Sequence, residues 1–229
     1  THRLALIDGF SAEMSAGQAR ALARAPGVRR VEADGVVRAL DDATNADFGA
    51  TAARADRPGL DGSGVGICVV DTGVDPNHEQ IAPRPVAFAD FVGTRTTAYD
   101  DHGHGTHVMS IAAGDGNGGG SAATFGGVAP AADLYATKVL DSTGFGSDSD
   151  VIAGVEWCHT AMRADEVDVI SLSLGDTAPS NGTDALSEAV DAAEAGGDVV
   201  VVAAGNSGDA PVTINAPGVA RGAITVGAV

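Results

Sequence analysis

From residue 65 to residue 70 the chain is apolar without a break, and the run ends directly in Asp71-Thr72-Gly73. A strand with no alternation of apolar and polar residues is buried on both faces, the situation of an inner strand in a parallel sheet. Segments 132–139, 167–174 and 198–204 read as further strands. Segments 104–114, 147–163 and 183–196 read as helices, with Gly144, Gly146, Gly196 and Gly197 as punctuation. Strands alternating with helices predict an α/β fold, a parallel sheet flanked by helices and joined by right-handed crossovers. In an open sheet of this kind the chemistry gathers at the carboxyl ends of the strands.

Residues 1–42 show a different pattern. Residues 4–7 read as a strand, and Ser15 reads as a helix N-cap with Gln18 at the capping-box position. Pro26-Gly27 ends that helix, and 28–32 and 35–37 read as short strand pieces. A unit this small buries too little to stand alone and is expected to lean on the larger α/β domain. Two domains result: a small α+β fragment over 1–42 and the α/β domain over 43–229. A polar stretch rich in Asp, Ala and Arg over 41–61 connects them, and 114–127 is a glycine-rich loop.

The chain carries 31 acidic and 13 basic residues, a formal net charge of −18. Such a field repels nucleic acid and anionic membranes, so neither is expected as a partner. No apolar run approaches the roughly 20 residues that span a bilayer. The acidity is mostly Asp and spread along the chain. It fits either a salt-adapted surface, whose self-repulsion high salt would screen, or a plain compositional bias. Cys68, in the apolar strand, and Cys158, on a helix, are expected to be two buried free thiols. A single bond between them is the alternative.

Three segments carry groups capable of chemistry. Asp71 follows an apolar strand and precedes a glycine; alone it reads equally as a turn residue or a helix cap. Asp101-His102-Gly103-His104-Gly105-Thr106-His107 holds three of the six histidines within six residues. That spacing allows a metal site, a general base opening a helix and oriented by a carboxylate, or a solvated loop. No Cys or Glu nearby completes a zinc set. Val200-Val201-Val202-Ala203-Ala204-Gly205-Asn206 is a strand ending in small residues and an Asn. An amide there can donate to a developing oxyanion, or simply make a turn.

Taken together, and in this order, Asp-Thr-Gly after a strand, His-Gly-Thr-His opening a helix, and Ala-Ala-Gly-Asn after another strand resemble the subtilisin family of serine proteases. The likeness extends to Gly127-Val128-Ala129-Pro130, Tyr135-Ala136-Thr137-Lys138-Val139-Leu140 and Ser171-Leu172-Ser173-Leu174-Gly175, and runs from about residue 62 to residue 229. It implies that Asp71 is the triad aspartate, His104 the general base and Asn206 the oxyanion-hole amide. His107 would be structural, Asp75 supporting, and His102 matches no motif position. Ser173, Leu174 and Gly175 resemble the segment that pairs with an extended substrate, and Gly144, Phe145 and Gly146 the facing edge, so a peptide would be held as an added strand. Gly9-Phe10-Ser11-Ala12, Pro26-Gly27-Val28 and Val31-Glu32-Ala33-Asp34 resemble the later part of the family's inhibitory propeptide, with its cut within 39–47.

The resemblance implies a secreted endopeptidase acting on extended polypeptides and on its own propeptide. The family's Gly-Thr-Ser-Met-Ala motif does not occur between residues 1 and 229, and no Gly-x-Ser-x-Gly elbow replaces it. The catalytic Ser is therefore expected beyond Val229, the sheet is expected to be incomplete at its C-terminal end, and the fragment alone is expected to be inactive. A relative that binds peptides without cleaving them is the alternative. No cofactor is required for this chemistry. Calcium, common in the family as a structural ion, would find oxygen ligands at Asp115 and Asn117, with Asp90 a lesser candidate.

Overall fold

Burial on both faces has a direct structural expression in β4, Gly66–Asp71, where all six residues are buried. Successive side chains on a strand point to opposite faces, and here they enter two different cores. Cys68 and Val70 join a cluster with Val139, Val155, Ile170, Leu172, Leu186 and Val202. Ile67 and Val69 join another with Val74, Ile81, Met109, Leu134 and Ala136. The computed structural model describes residues 2–39, 52–53, 56–117, 126–162, 169–208 and 212–227.

Among the described residues the main sheet has six strands, all parallel. Besides β4 these are β5 (Val86–Asp90), β6 (Asp133–Lys138), β8 (Val169–Leu172), β10 (Val199–Ala203) and β11 (Ile224–Val226), in the order β11-β10-β8-β4-β6-β5. The chain leaves β4 first for one side of the sheet and later for the other, so β4 sits where the winding reverses and its carboxyl end borders the crevice. α2 (His104–Ala113) puts Met109 and Ala113 into the second core. α3 (Asp148–Met162) and α4 (Ala185–Ala195) cover the opposite face with Val151, Val155, Leu186 and Val190. Asp184 caps α4 by accepting from the Ser187 N–H.

The N-terminal unit departs in detail from its expected elements. The strand expected at 4–7 is only β1, Arg3–Leu4, followed by a 3-10 turn over Ala5–Ile7 with Asp8 left-handed at φ 50°. This turn lets β2, Gly9–Phe10, pair back antiparallel on β1. The apolar residues are consecutive because Leu4 enters the main core while Leu6 and Ile7 pack against it. α1, Ala16–Leu22, starts with the expected reciprocal cap between Ser15 and Gln18. Residues 28–32 form no strand; their side chains anchor the unit instead. Arg29 and Arg30 pair with Glu188, and Glu32 accepts from the Ala185 N–H at the start of α4.

The piece expected at 35–37 is β3, Val36–Ala39, and it is not an appendage strand. It lies between β7 (Phe145–Ser147) and β9 (Leu174–Asp176) as the middle of an antiparallel three-stranded sheet. Val37 stands opposite Gly146 and Asp176, and Arg38 opposite Phe145 and Gly175. The expected strand at 167–174 divides into β8 and β9 around Ser173, and residues 167–168 fall outside the described residues. The expected boundary near residue 42 and most of the 41–61 connector fall there too, as do 118–125 of the glycine-rich loop. β5 and β11 escaped the sequence reading because edge strands with mixed exposure show neither continuous apolarity nor clean alternation.

The expectation of two free thiols is overturned: Cys68 and Cys158 form a disulfide. Cys68 points from β4 toward the face that α3 covers, and Cys158 lies on the inner side of α3, so packing brings their Cα atoms to 5.9 Å.

Candidate active site

β4 ends in Asp71, which is fully buried. His104, also buried, opens α2 and turns Nδ1 onto that carboxylate at 2.7 and 2.9 Å from its two oxygens. A carboxylate only accepts, so Nδ1 carries the proton and Nε2 is left as the ring's basic nitrogen. The Thr72 N–H also donates to Asp71, at 2.6 Å. The approach of α2 to the strand end depends on Gly105. A Cβ there would lie 2.1 Å from the Gly73 carbonyl oxygen and 3.2 Å from the Asp71 Cβ, so only glycine lets the helix start this close.

Two residues that the sequence reading passed over hold this corner together. Asp100 accepts from the Thr72 hydroxyl and the His102 and Gly103 N–H groups through one oxygen, and from the Thr106 N–H and hydroxyl through the other. Burial pushes the Asp100 carboxyl up, but the bonds from Thr106, Gly103 and His102 outweigh it and hold the group below its usual range. Its signal in the sequence was its place directly before Asp101 and the three histidines. Lys138, the sole lysine, ends β6 with 1% exposure. Its ammonium donates to the Thr72 and Leu140 carbonyls, both at 2.8 Å, and to Asp101 at 2.5 Å. A lone lysine inside an apolar strand signals a buried ammonium with a fixed partner set. Lys138→Met orphans two buried carbonyls and is expected to cost about 2–4 kcal/mol. Urea unfolding checks this, and a loss under about 0.5 kcal/mol contradicts it.

His102 is exposed beside this pair, its ring centroid 6.2 Å from that of His104, and its Nε2 lies 3.2 Å from where a Gly144 Cβ would be. The edge over Gly144, Phe145 and Gly146 thus adjoins the histidines, and Leu174 and Gly175 face it across β3. Ser173 lies between β8 and β9. The structure therefore brings together Asp71 and His104, with His102 and Gly144 beside them, and sets 174–175 across β3 from 145–146. Asn206 and Ser207 follow β10 in an exposed turn. His107 lies on the exposed side of α2, and the Asp75 N–H donates to the Thr106 hydroxyl. Among the described residues no group of three or more His, Cys, Asp or Glu is placed to hold a metal. Asp115 and Asn117 adjoin, but the Asn117 amide donates to Asp115 and the Gln80 amide to the Asn117 carbonyl. Asp90 accepts from the Val92, Gly93 and Arg95 N–H groups and the Tyr99 hydroxyl. No described helix is long and apolar enough to cross a membrane.

Directly after β7 Asp148 opens α3. Burial first, then the charges of Asp176, Asp34 and Asp184, push its carboxyl up from 3.8 to about 7, although the Gly35 N–H donating to it works the other way. Between these values the folded chain holds a proton that the unfolded chain has released. Stability from this group is therefore fully present below pH 3.8 and is lost as pH rises to about 7. Asp148→Asn removes the dependence, so the variant gains on the parent between about pH 4 and pH 7. Urea midpoints at both pH values check this; an equal difference at the two contradicts it.

A family model described as the Subtilase family matches residues 62–229. The serine protease AprX of Bacillus subtilis (strain 168) is 42% identical over 214 residues, covering 90% of this chain and 48% of that protein. Subtilisin E of the same organism is 36% identical, covering 97% of this chain and 56% of its own length. A crystal structure of a cold adapted subtilisin-like serine proteinase is similar with a TM-score of 0.60 and 32% identity, over 73% of this chain and 55% of that one. The chain thus spans about half the length of the curated relatives it matches.

Proposed function

The chain belongs to the subtilase family, and from that premise we propose that it is part of a secreted serine endopeptidase that hydrolyses extended polypeptides. The observation that carries this reading is the buried Asp71–His104 hydrogen bond at the carboxyl end of β4. Asp71 fixes the ring with its proton on Nδ1. Nε2 then takes the proton of a serine hydroxyl as that oxygen attacks the peptide carbonyl, and returns it to the leaving amine. The nucleophile is assigned to a serine following Val229. Asn206 is assigned to the oxyanion, which its amide would meet when a carbonyl sits between the β10 end and His104.

Residues 1–42 are read as the later part of an inhibitory propeptide, and β3 supports this by lying between the two cleft edges as a substrate strand would. Asp34 accepts from the Ser149 N–H at the start of α3, and Glu32 does the same at α4. Both carboxylates face positive helix ends. Polypeptide substrates and its own propeptide are thus the proposed partners. Action outside the cytoplasm is supported by the Cys68–Cys158 disulfide, since such bonds persist in oxidising compartments. A structural calcium ion is proposed only for Asp115 and Asn117. An ion there needs the Asn117 amide turned away, and no step of the reaction passes through it.

Incubating the full-length protein with an unfolded polypeptide tests the assignment. New amino termini should appear in the substrate, together with a cut in its own chain within 39–47. A full-length protein that produces neither removes the reading.

A further inference from the structure

At the far end of β3 the peptide strand meets Asp148 at two points. The Gly35 N–H donates to Oδ2 at 3.0 Å, and the Asp148 N–H donates to the Gly35 carbonyl at 3.1 Å. The carboxylate occupies the place a side chain would need. A Cβ on Gly35 would stand 2.5 Å from Oδ2, 3.1 Å from Cγ and 3.2 Å from Oδ1. Backbone conformation does not explain the glycine, because Gly35 is not among the residues of positive φ. Space does.

The carboxylate is also poorly able to move aside. Oδ1 is already buried without a hydrogen-bond partner, and turning Oδ2 away would orphan that oxygen and the peptide N–H together. Asp34, Asp176 and Asp184 stand around it, and once its proton is released, above about pH 7, a swing toward any of them brings negative groups closer. Asp148 is fixed at its own backbone by the bond to Gly35, and its neighbour Ser149 is held by Asp34.

We propose that Asp148 makes the outer end of this cleft selective for glycine, at the peptide position two residues before the one opposite Gly146. For substrates this rests on the endopeptidase reading; for the chain's own strand it does not. Asp148 reads the position by filling the Cβ space and by accepting the N–H, so every side chain is refused for the same reason, charged or apolar.

Two measurements test it. In this chain, Gly35→Ala should raise amide hydrogen exchange over residues 36–39 by at least about tenfold, and adding Asp148→Gly or Asp148→Ser should reverse most of that. In the full-length protein, a peptide spanning residues 31–47 should be cleaved with a kcat/KM at least about tenfold above that of the same peptide with alanine for Gly35, and Asp148→Ser should bring the ratio below about threefold. The serine variant keeps a good residue at the start of α3. Equal treatment of the two peptides by the parent protein, or a preference that survives both Asp148 variants, overturns the proposal. An exchange pattern indifferent to Gly35→Ala also overturns it. If neither peptide is cleaved while the exchange cycle behaves as stated, the hydrolytic reading fails and the glycine selection stands as a property of strand binding.

Discussion

His104→Ala in the full-length protein lowers kcat on a peptide substrate by at least about 10³-fold, within the roughly 10²–10⁴ that a positioned general base supplies, with pairing to Asp71 adding to it. The loss falls on kcat because the cleft edges at β7 and β9 are untouched, so KM changes by less than about threefold. Asp71→Asn gives a smaller fall, since the ring keeps a neighbour, but an amide that can donate as well as accept no longer fixes the proton on Nδ1. Steady-state kinetics on one peptide, with circular dichroism to show that each variant folds, decide it. A kcat for His104→Ala within about tenfold of the parent contradicts the assignment of His104 as base.

The double variant Cys68→Ala/Cys158→Ala loses about 2–5 kcal/mol of stability. The bond closes a loop of 90 residues between two fully buried positions, and a loop that long restricts the unfolded chain strongly. Cys68 is three residues ahead of Asp71 on the same strand, so the bond ties the strand that carries the carboxylate to α3. Urea unfolding of parent and variant gives the number, and reducing the unfolded parent should reproduce it. A difference below about 0.5 kcal/mol contradicts the bond's role.

That bond also shows where sequence reasoning stopped. The apolar run of β4 marked a strand buried on both faces, and the structure bears this out residue by residue. It did not say which side chains face which helix, so the pairing of Cys68 with Cys158 was out of reach. Asp71 and His104 were legible because each stands at an element boundary, one ending a strand and one opening a helix, and the fold brings both boundaries to one point. Asp100 and Lys138 left a signal in the sequence but not their partners, because their work is to accept from or donate to backbone groups of loops whose course only the fold defines. The same holds for β3. Residues 36–39 offer a short apolar strand and no hint that its partners lie more than a hundred residues ahead at Gly146 and Gly175. Asp148 was invisible for a related reason, since an acidic residue at a helix start is ordinary and gains meaning only from the Gly35 backbone packed on it.

The most direct test of the central claim is to treat the full-length protein with a serine-directed phosphonofluoridate and map the adduct by peptide mass spectrometry. The account predicts one labelled serine, located after Val229, with labelling lost in His104→Ala. No adduct, an adduct on a serine within residues 1–229 such as Ser207, or labelling that His104→Ala leaves intact would contradict it.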